Sequence, residues 1–200
     1  VYPRGTDKQW MDGRHNEFAQ NFRSVDDIAF LKTLIEKLIA DKVADPERIY
    51  VVGFSTGGIM AYRAACEMSK QLAGIAAVAA SMPLGYEYIC KPARPVPVIM
   101  INGTADPEIP WEGGLVSANS EINHGEVISV EKNLQFWRRE NKCSDTAHTD
   151  KPPEAPSLLP VLHHYWDSCN VHLYEVRGGQ HNWPGNNSPL VSPNPFSMGS

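Results

Sequence analysis

The chain has 200 residues, 42% of them hydrophobic, and a formal charge of -5 at pH 7. That is enough apolar material for one globular domain with its own core, unlike a coiled coil or a disordered tail. The mild acidity and the lack of a Lys/Arg cluster leave no electrostatic footprint for a phosphate backbone or an anionic bilayer, so nucleic acid and membrane are not expected partners.

The first residue is Val1, and no charged, then apolar, then small-residue leader pattern follows it; the natural start is expected upstream. From Ser24, apolar residues at Val25, Ile28, Leu31, Leu34, Ile35, Leu38 and Ile39 recur every three or four positions, the spacing of an amphipathic helix. Ser24 is its expected N-cap, with Asp26 and Asp27 in the first turn. Pro46 closes that region, and "RIYVVG" from Arg48 reads as a short, fully buried strand. A second helix is expected from Thr56 to about Lys70. "LAGIAAVAAS" from Leu72 and "VPVIMING" from Val96 are two further runs of strand length. The longest apolar stretch, Leu72 to Gly85, is too short to cross a bilayer. Met82 to Pro97 is Pro-rich and reads as loop. Helical spacing returns from Ser129 at Val130, Leu134 and Trp137. The polar, Pro-rich segment from Ser144 to Pro160 reads as loop, a candidate rim or lid. "VHLYEVRGG" from Val171 alternates like a strand entering a turn, and the tail from Gly185 reads as irregular. Strands alternating with helices imply a mainly parallel sheet covered on both faces, in a single domain over residues 1–200.

Cys66, Cys90, Cys143 and Cys169 permit three pairings and show no CxxC or zinc spacing. The simplest arrangement is two local disulfides, Cys66 with Cys90 and Cys143 with Cys169, in an oxidising compartment; the alternative is four free buried thiols in a cytosolic protein.

Chemistry concentrates at "GFSTG", Gly53 to Gly57. A serine hydroxyl is a poor nucleophile at neutral pH and needs a base, a group to orient that base, and donors for the developing oxyanion. The GxSxG pattern supplies a sharp strand-to-helix turn that exposes Ser55, with the Thr56 N–H at the start of the helix facing the oxyanion. The lack of a lysine in the P-loop position counts against a nucleotide cradle. The acid and base should follow in order at later strand ends. Asp106, in "INGTADPEIP", and His181, in "RGGQHNWPG", satisfy this, so Ser55, Asp106 and His181 form the candidate triad. Taken alone, Asp106 reads as a turn residue. Glu108 is a rival acid farther from its strand end. His172 lies inside a strand and His163 and His164 beside a Pro-rich loop, so these three read as structural or exposed.

"VDDIAFLKTLI", "RIYVVGFSTGGIMAYRAAC", "VPVIMINGTADPEIPWEGG" and "GGQHNWPG", spread from Val25 to Gly185, together resemble the secreted α/β-hydrolase group of polyhydroxybutyrate depolymerases and feruloyl or acetylxylan esterases. The resemblance implies an α/β-hydrolase fold and a serine esterase without cofactor or metal, with Ser55 as nucleophile, His181 as general base and then acid, and Asp106 orienting the imidazole. It also implies disulfides among the four cysteines, a secreted or periplasmic location, and Trp111 and Trp183 as substrate contacts or pocket walls. The substrate would be a small-molecule, polysaccharide-linked or polyester ester. A peptidase or acyltransferase on the same triad is a weaker reading.

Two departures stand out. Thr56 occupies a position where the group usually has Asn, and its N–H is unaffected. The group also has an early strand ending in a His-Gly loop that gives a second oxyanion donor, and "VYPRGTDKQWMDGR" resembles the part after that loop. The chain is therefore expected to lack the first strands and first helix. It would then be a shortened piece, or a homo-oligomer completing the sheet, and its alternative function is a weak or silent hydrolase-fold binding module.

Overall fold

The computed structural model describes residues 1–22, 24–144, 146–151 and 159–184. The tail expected to be irregular and residues 145 and 152–158 of the Pro-rich segment lie outside the described residues. Four α-helices appear among the described residues: α1 (Glu17–Asn21), α2 (Asp27–Ala40), α3 (Thr56–Glu67) and α4 (Val130–Glu140). The strands are β1 (Tyr50–Phe54), β2 (Gly74–Val78), β3 (Val98–Gly103), β4 (Gly114–Leu115), β5 (Glu126–Val127), β6 (His148–Asp150), β7 (Val161–Trp166) and β8 (Val171–Val176).

The main sheet runs β1-β2-β3-β8-β7-β6, with β4 and β5 forming a separate small ribbon. The pairs β1·β2, β2·β3 and β3·β8 are parallel; β7 and β6 join antiparallel. This is the mainly parallel sheet with helices expected from the alternation of patterns. No described helix is long and apolar enough to cross a membrane.

The α2 helix begins later than its periodicity suggested. Its N-cap is Asp26, whose carboxylate accepts the Ala29 N–H at 2.9 Å, rather than Ser24. A carboxylate in that position satisfies an orphan donor and complements the helix dipole. Asp27 is buried, and its Oδ2 accepts the Met11 N–H at 2.7 Å, a tie to the N-terminal segment. The α4 helix starts as expected, with Ser129 Oγ accepting from Lys132 N.

The strand read as fully buried is half exposed. Tyr50 and Val52 are 62% and 60% exposed, because among the described residues nothing covers the sheet face they share with Ile99 of the interior strand β3, and β1 has a single paired neighbour. A parallel strand is sealed on both faces only with neighbours and covering layers around it. Val51 turns the other way and packs on the core, where α3, α4 and the buried side chains Ile28, Leu31 and Ile35 of α2 meet Ile75, Val98, Met100, Val171 and Leu173. Among the described residues, the face carrying Tyr50, Val52 and Ile99 has exposed apolar side chains. Helix cover is therefore seen on the core face.

Two strands of the main sheet, besides the short β4 and β5, went unread. In β7, His163 and His164 interrupt the apolar alternation, and β6 sits inside a polar segment; both exist through pairing with β8 and β7 respectively. The cysteines form Cys66–Cys90 and Cys143–Cys169, the simplest of the sequence-level pairings. The first ties the end of α3 to the loop after β2, the second the end of α4 to the β7–β8 turn.

Candidate active site

At the end of β1 the chain turns on Ser55, with φ 54° and ψ -123°. A non-glycine residue holds such a conformation only when its surroundings impose it, at a cost of about 1–3 kcal/mol. The surroundings are visible. Ser55 N–H donates to the Val78 carbonyl at 2.9 Å, and its own carbonyl accepts Ile59 N–H at 3.0 Å, opening α3. A Cβ on Gly53 would stand 2.0 Å from the Gly57 carbonyl oxygen, and one on Gly58 would stand 2.6 Å from Ala80 Cβ. The glycines therefore let the strand and helix backbones touch, as the motif requires. Thr56 is the first residue of α3, where backbone N–H groups have no partner within the helix.

Asp106 follows β3 and His181 follows β8, adjacent parallel strands with their C-terminal ends at the same edge. Their side chains converge on the elbow. His181 Nε2 lies 2.9 Å from Ser55 Oγ, and His181 Nδ1 lies 2.8 Å from Asp106 Oδ2. With a carboxylate accepting at Nδ1, the proton of a neutral imidazole resides there, leaving Nε2 to accept from the serine hydroxyl. The Asp106 side chain is 1% exposed. Its second oxygen accepts the N–H groups of Glu108 and Ile109 at 2.8 and 2.9 Å. Asp106 is thus both a turn residue and the histidine's partner. Glu108 is directed elsewhere and accepts from Ser117 Oγ.

The other histidines keep away from Ser55. His163 Nε2 pairs with His172 Nδ1 at 3.0 Å, and His164 Nε2 with Glu175 at 3.1 Å. Trp183 is half exposed and stands near Ser55 and His181 through Phe54, 6.3 Å between ring centroids. Trp111 is partly buried against the core, and its carbonyl accepts Val130 N–H; those are packing contacts. The residue that sequence reasoning missed is Phe54, whose ring centroid is 4.8 Å from that of His181. Its place next to Ser55 in the GxSxG motif was the available signal.

A mainly parallel sheet, a strained serine between strand and helix, and an acid and a histidine on successive strand ends define an α/β-hydrolase. Residues 3–134 match the phospholipase/carboxylesterase family, and the chain belongs to it. Feruloyl esterase B of Piromyces equi is 30% identical over 189 residues, covering 86% of this chain and 33% of that protein. Acyl-protein thioesterase 1 of Cryptococcus neoformans var. neoformans serotype D is 31% identical over 164 residues, 76% of this chain and 69% of that one. The chain thus spans about one third of the feruloyl esterase it matches. Among solved structures, the acetyl xylan esterase from Aspergillus awamori superposes with a TM-score of 0.54 at 11% identity, over 78% of this chain and 62% of that chain. At that identity the likeness concerns the fold.

Proposed function

We propose that this chain is the catalytic part of a serine carboxylic ester hydrolase. The observation that carries the reading is the hydrogen-bonded line from Ser55 Oγ through His181 to Asp106, at 2.9 and 2.8 Å. In this reading His181 Nε2 takes the hydroxyl proton as Ser55 Oγ bonds to the ester carbonyl carbon, and Asp106 holds the imidazole in the tautomer that permits it. The oxyanion faces the Thr56 N–H and the N-terminal end of α3. Collapse returns the proton from Nε2 to the leaving alcohol. Water then repeats the sequence on the acyl-enzyme. Trp183 forms a wall of the acyl or alcohol pocket, whereas Trp111 packs against the core.

The feruloyl esterases among the relatives favour feruloyl esters over hydroxyalkanoate polyesters, and the acyl-protein thioesterase extends the reading to thioesters. Two disulfides fit a secreted or periplasmic protein.

The test is fluorophosphonate labelling and hydrolysis of p-nitrophenyl acetate and methyl ferulate by this chain beside its Ser55→Ala variant. Labelling and turnover that vanish with Ser55 are the expected result. A folded chain that neither labels nor turns over is instead a hydrolase-fold binding module, and the esterase reading fails.

A further inference from the structure

We infer that Phe54, the residue immediately before Ser55, is a positioning residue that backs the His181 ring and stabilises the imidazolium formed on it during turnover. The inference rests on the esterase reading above.

The two hydrogen bonds of His181 run from its ring nitrogens to Ser55 and Asp106. Bonds made in the ring plane fix where its edge lies and resist tilting of the ring poorly. Tilting is checked only by a body against the ring face. We take Phe54 as that body, since its ring centroid lies 4.8 Å away with the two planes inclined by 45°. It is delivered by a strand, with Phe54 paired to Val78 across β1 and β2, whereas His181 sits on a loop beyond β8. Trp183 flanks Phe54 at 6.3 Å.

The second half of the argument is electrostatic. When Nε2 accepts the Ser55 proton, the imidazole becomes a cation with its centroid 4.8 Å from that of Phe54; a ring face attracts a cation within about 6 Å, and we take the Phe54 face as the one presented to it. The attraction is absent while His181 is neutral. An interaction made only as charge develops lowers the barrier without tightening substrate binding. Leucine fills similar space and has no quadrupole.

The experiment measures steady-state hydrolysis of p-nitrophenyl acetate, and the rate of fluorophosphonate labelling, for Phe54→Leu, Phe54→Tyr and chains carrying mono-, di- and trifluorinated phenylalanine at position 54. Phe54→Leu should lower kcat roughly three- to fivefold with KM within about twofold. Phe54→Tyr should restore it, and kcat should fall stepwise with fluorination at constant ring shape. The fluorinated series keeps the test alive if Phe54→Leu fails to fold. A flat fluorination series, or a loss confined to KM, overturns the inference. Ser55→Ala and His181→Ala separate the two levels: activity that survives them defeats the esterase reading itself, whereas silence in both beside unchanged Phe54 variants defeats only the role of Phe54. A chain whose Ser55 is inert overturns both.

Discussion

Adding one methyl group to either of two glycines four residues apart should have opposite effects. In Gly53→Ala the new Cβ meets the Gly57 carbonyl oxygen at 2.0 Å, its carbon at 2.2 Å and Gly58 N at 2.5 Å. Carbon and oxygen normally approach no closer than about 3.3 Å, so the overlap exceeds roughly 1 Å. All three atoms are backbone in the first turn of α3, and no rotamer change relieves the clash. The helix must move off β1, although Gly58 already abuts Ala80. Overpacking of this kind costs about 3 kcal/mol or more, a fall in Tm of roughly 6–12 °C for a chain of this size. Displacing Ser55 by about 1 Å from His181 should also cost about 100-fold in activity. A Cβ on Gly57 meets nothing within 4 Å. Gly57→Ala should gain about 0.4–1 kcal/mol, a rise in Tm of roughly 1–4 °C, through a less flexible unfolded chain. Thermal melts followed by circular dichroism read both. A Gly53→Ala melt within about 2 °C of the parent, against the drop of at least 6 °C expected, or a Gly57→Ala melt that falls as far as Gly53→Ala, refutes the close-approach account of the elbow.

Replacing Cys143 and Cys169 together by Ser opens a loop with a sequence separation of 26; chain entropy gives a loss of about 3.5 kcal/mol, seen as a lower urea midpoint, and reductant, which opens Cys66–Cys90 as well, lowers the parent chain's midpoint at least as far. An unchanged midpoint defeats the prediction. Burial lowers His163 and His172 below the ordinary 6.5, and His163 is lowered further by the facing His172. Around them stand Asp150 on β6, Asp167 in the β7–β8 turn, His164, Tyr165 and Tyr174. Below about pH 6.5 the unfolded chain takes up protons that the folded one resists, so this contribution to stability is intact above that value and is lost as pH falls toward the depressed folded values. Urea midpoints between pH 7.5 and 5 should fall, and His163→Gln should flatten the slope; a slope unaltered by that substitution refutes the assignment.

Much of this protein is written locally. The three-and-four spacing of α2, the helical spacing of α4 from Ser129, the apolar runs of β2 and β3 and the glycines around Ser55 each act over a few residues, so the sequence alone determined those elements and the strand-to-helix elbow. The order of Ser55, Asp106 and His181 at strand ends was also legible, because a parallel sheet brings its C-terminal strand ends to one edge. Other features depend on which strand lies beside which. His163 and His164 conceal β7, which holds only because β8 pairs with it. Tyr50 and Val52 look buried until the face they share with Ile99 is found uncovered among the described residues. Asp27 finds Met11, and Glu108 turns to Ser117 and leaves the histidine to Asp106. Phe54 meets His181 across 127 positions of sequence. Hydrophobic period and capping are properties of neighbouring residues. Burial, partner choice and the meeting of side chains are properties of strand order and packing, and only the tertiary structure decided them.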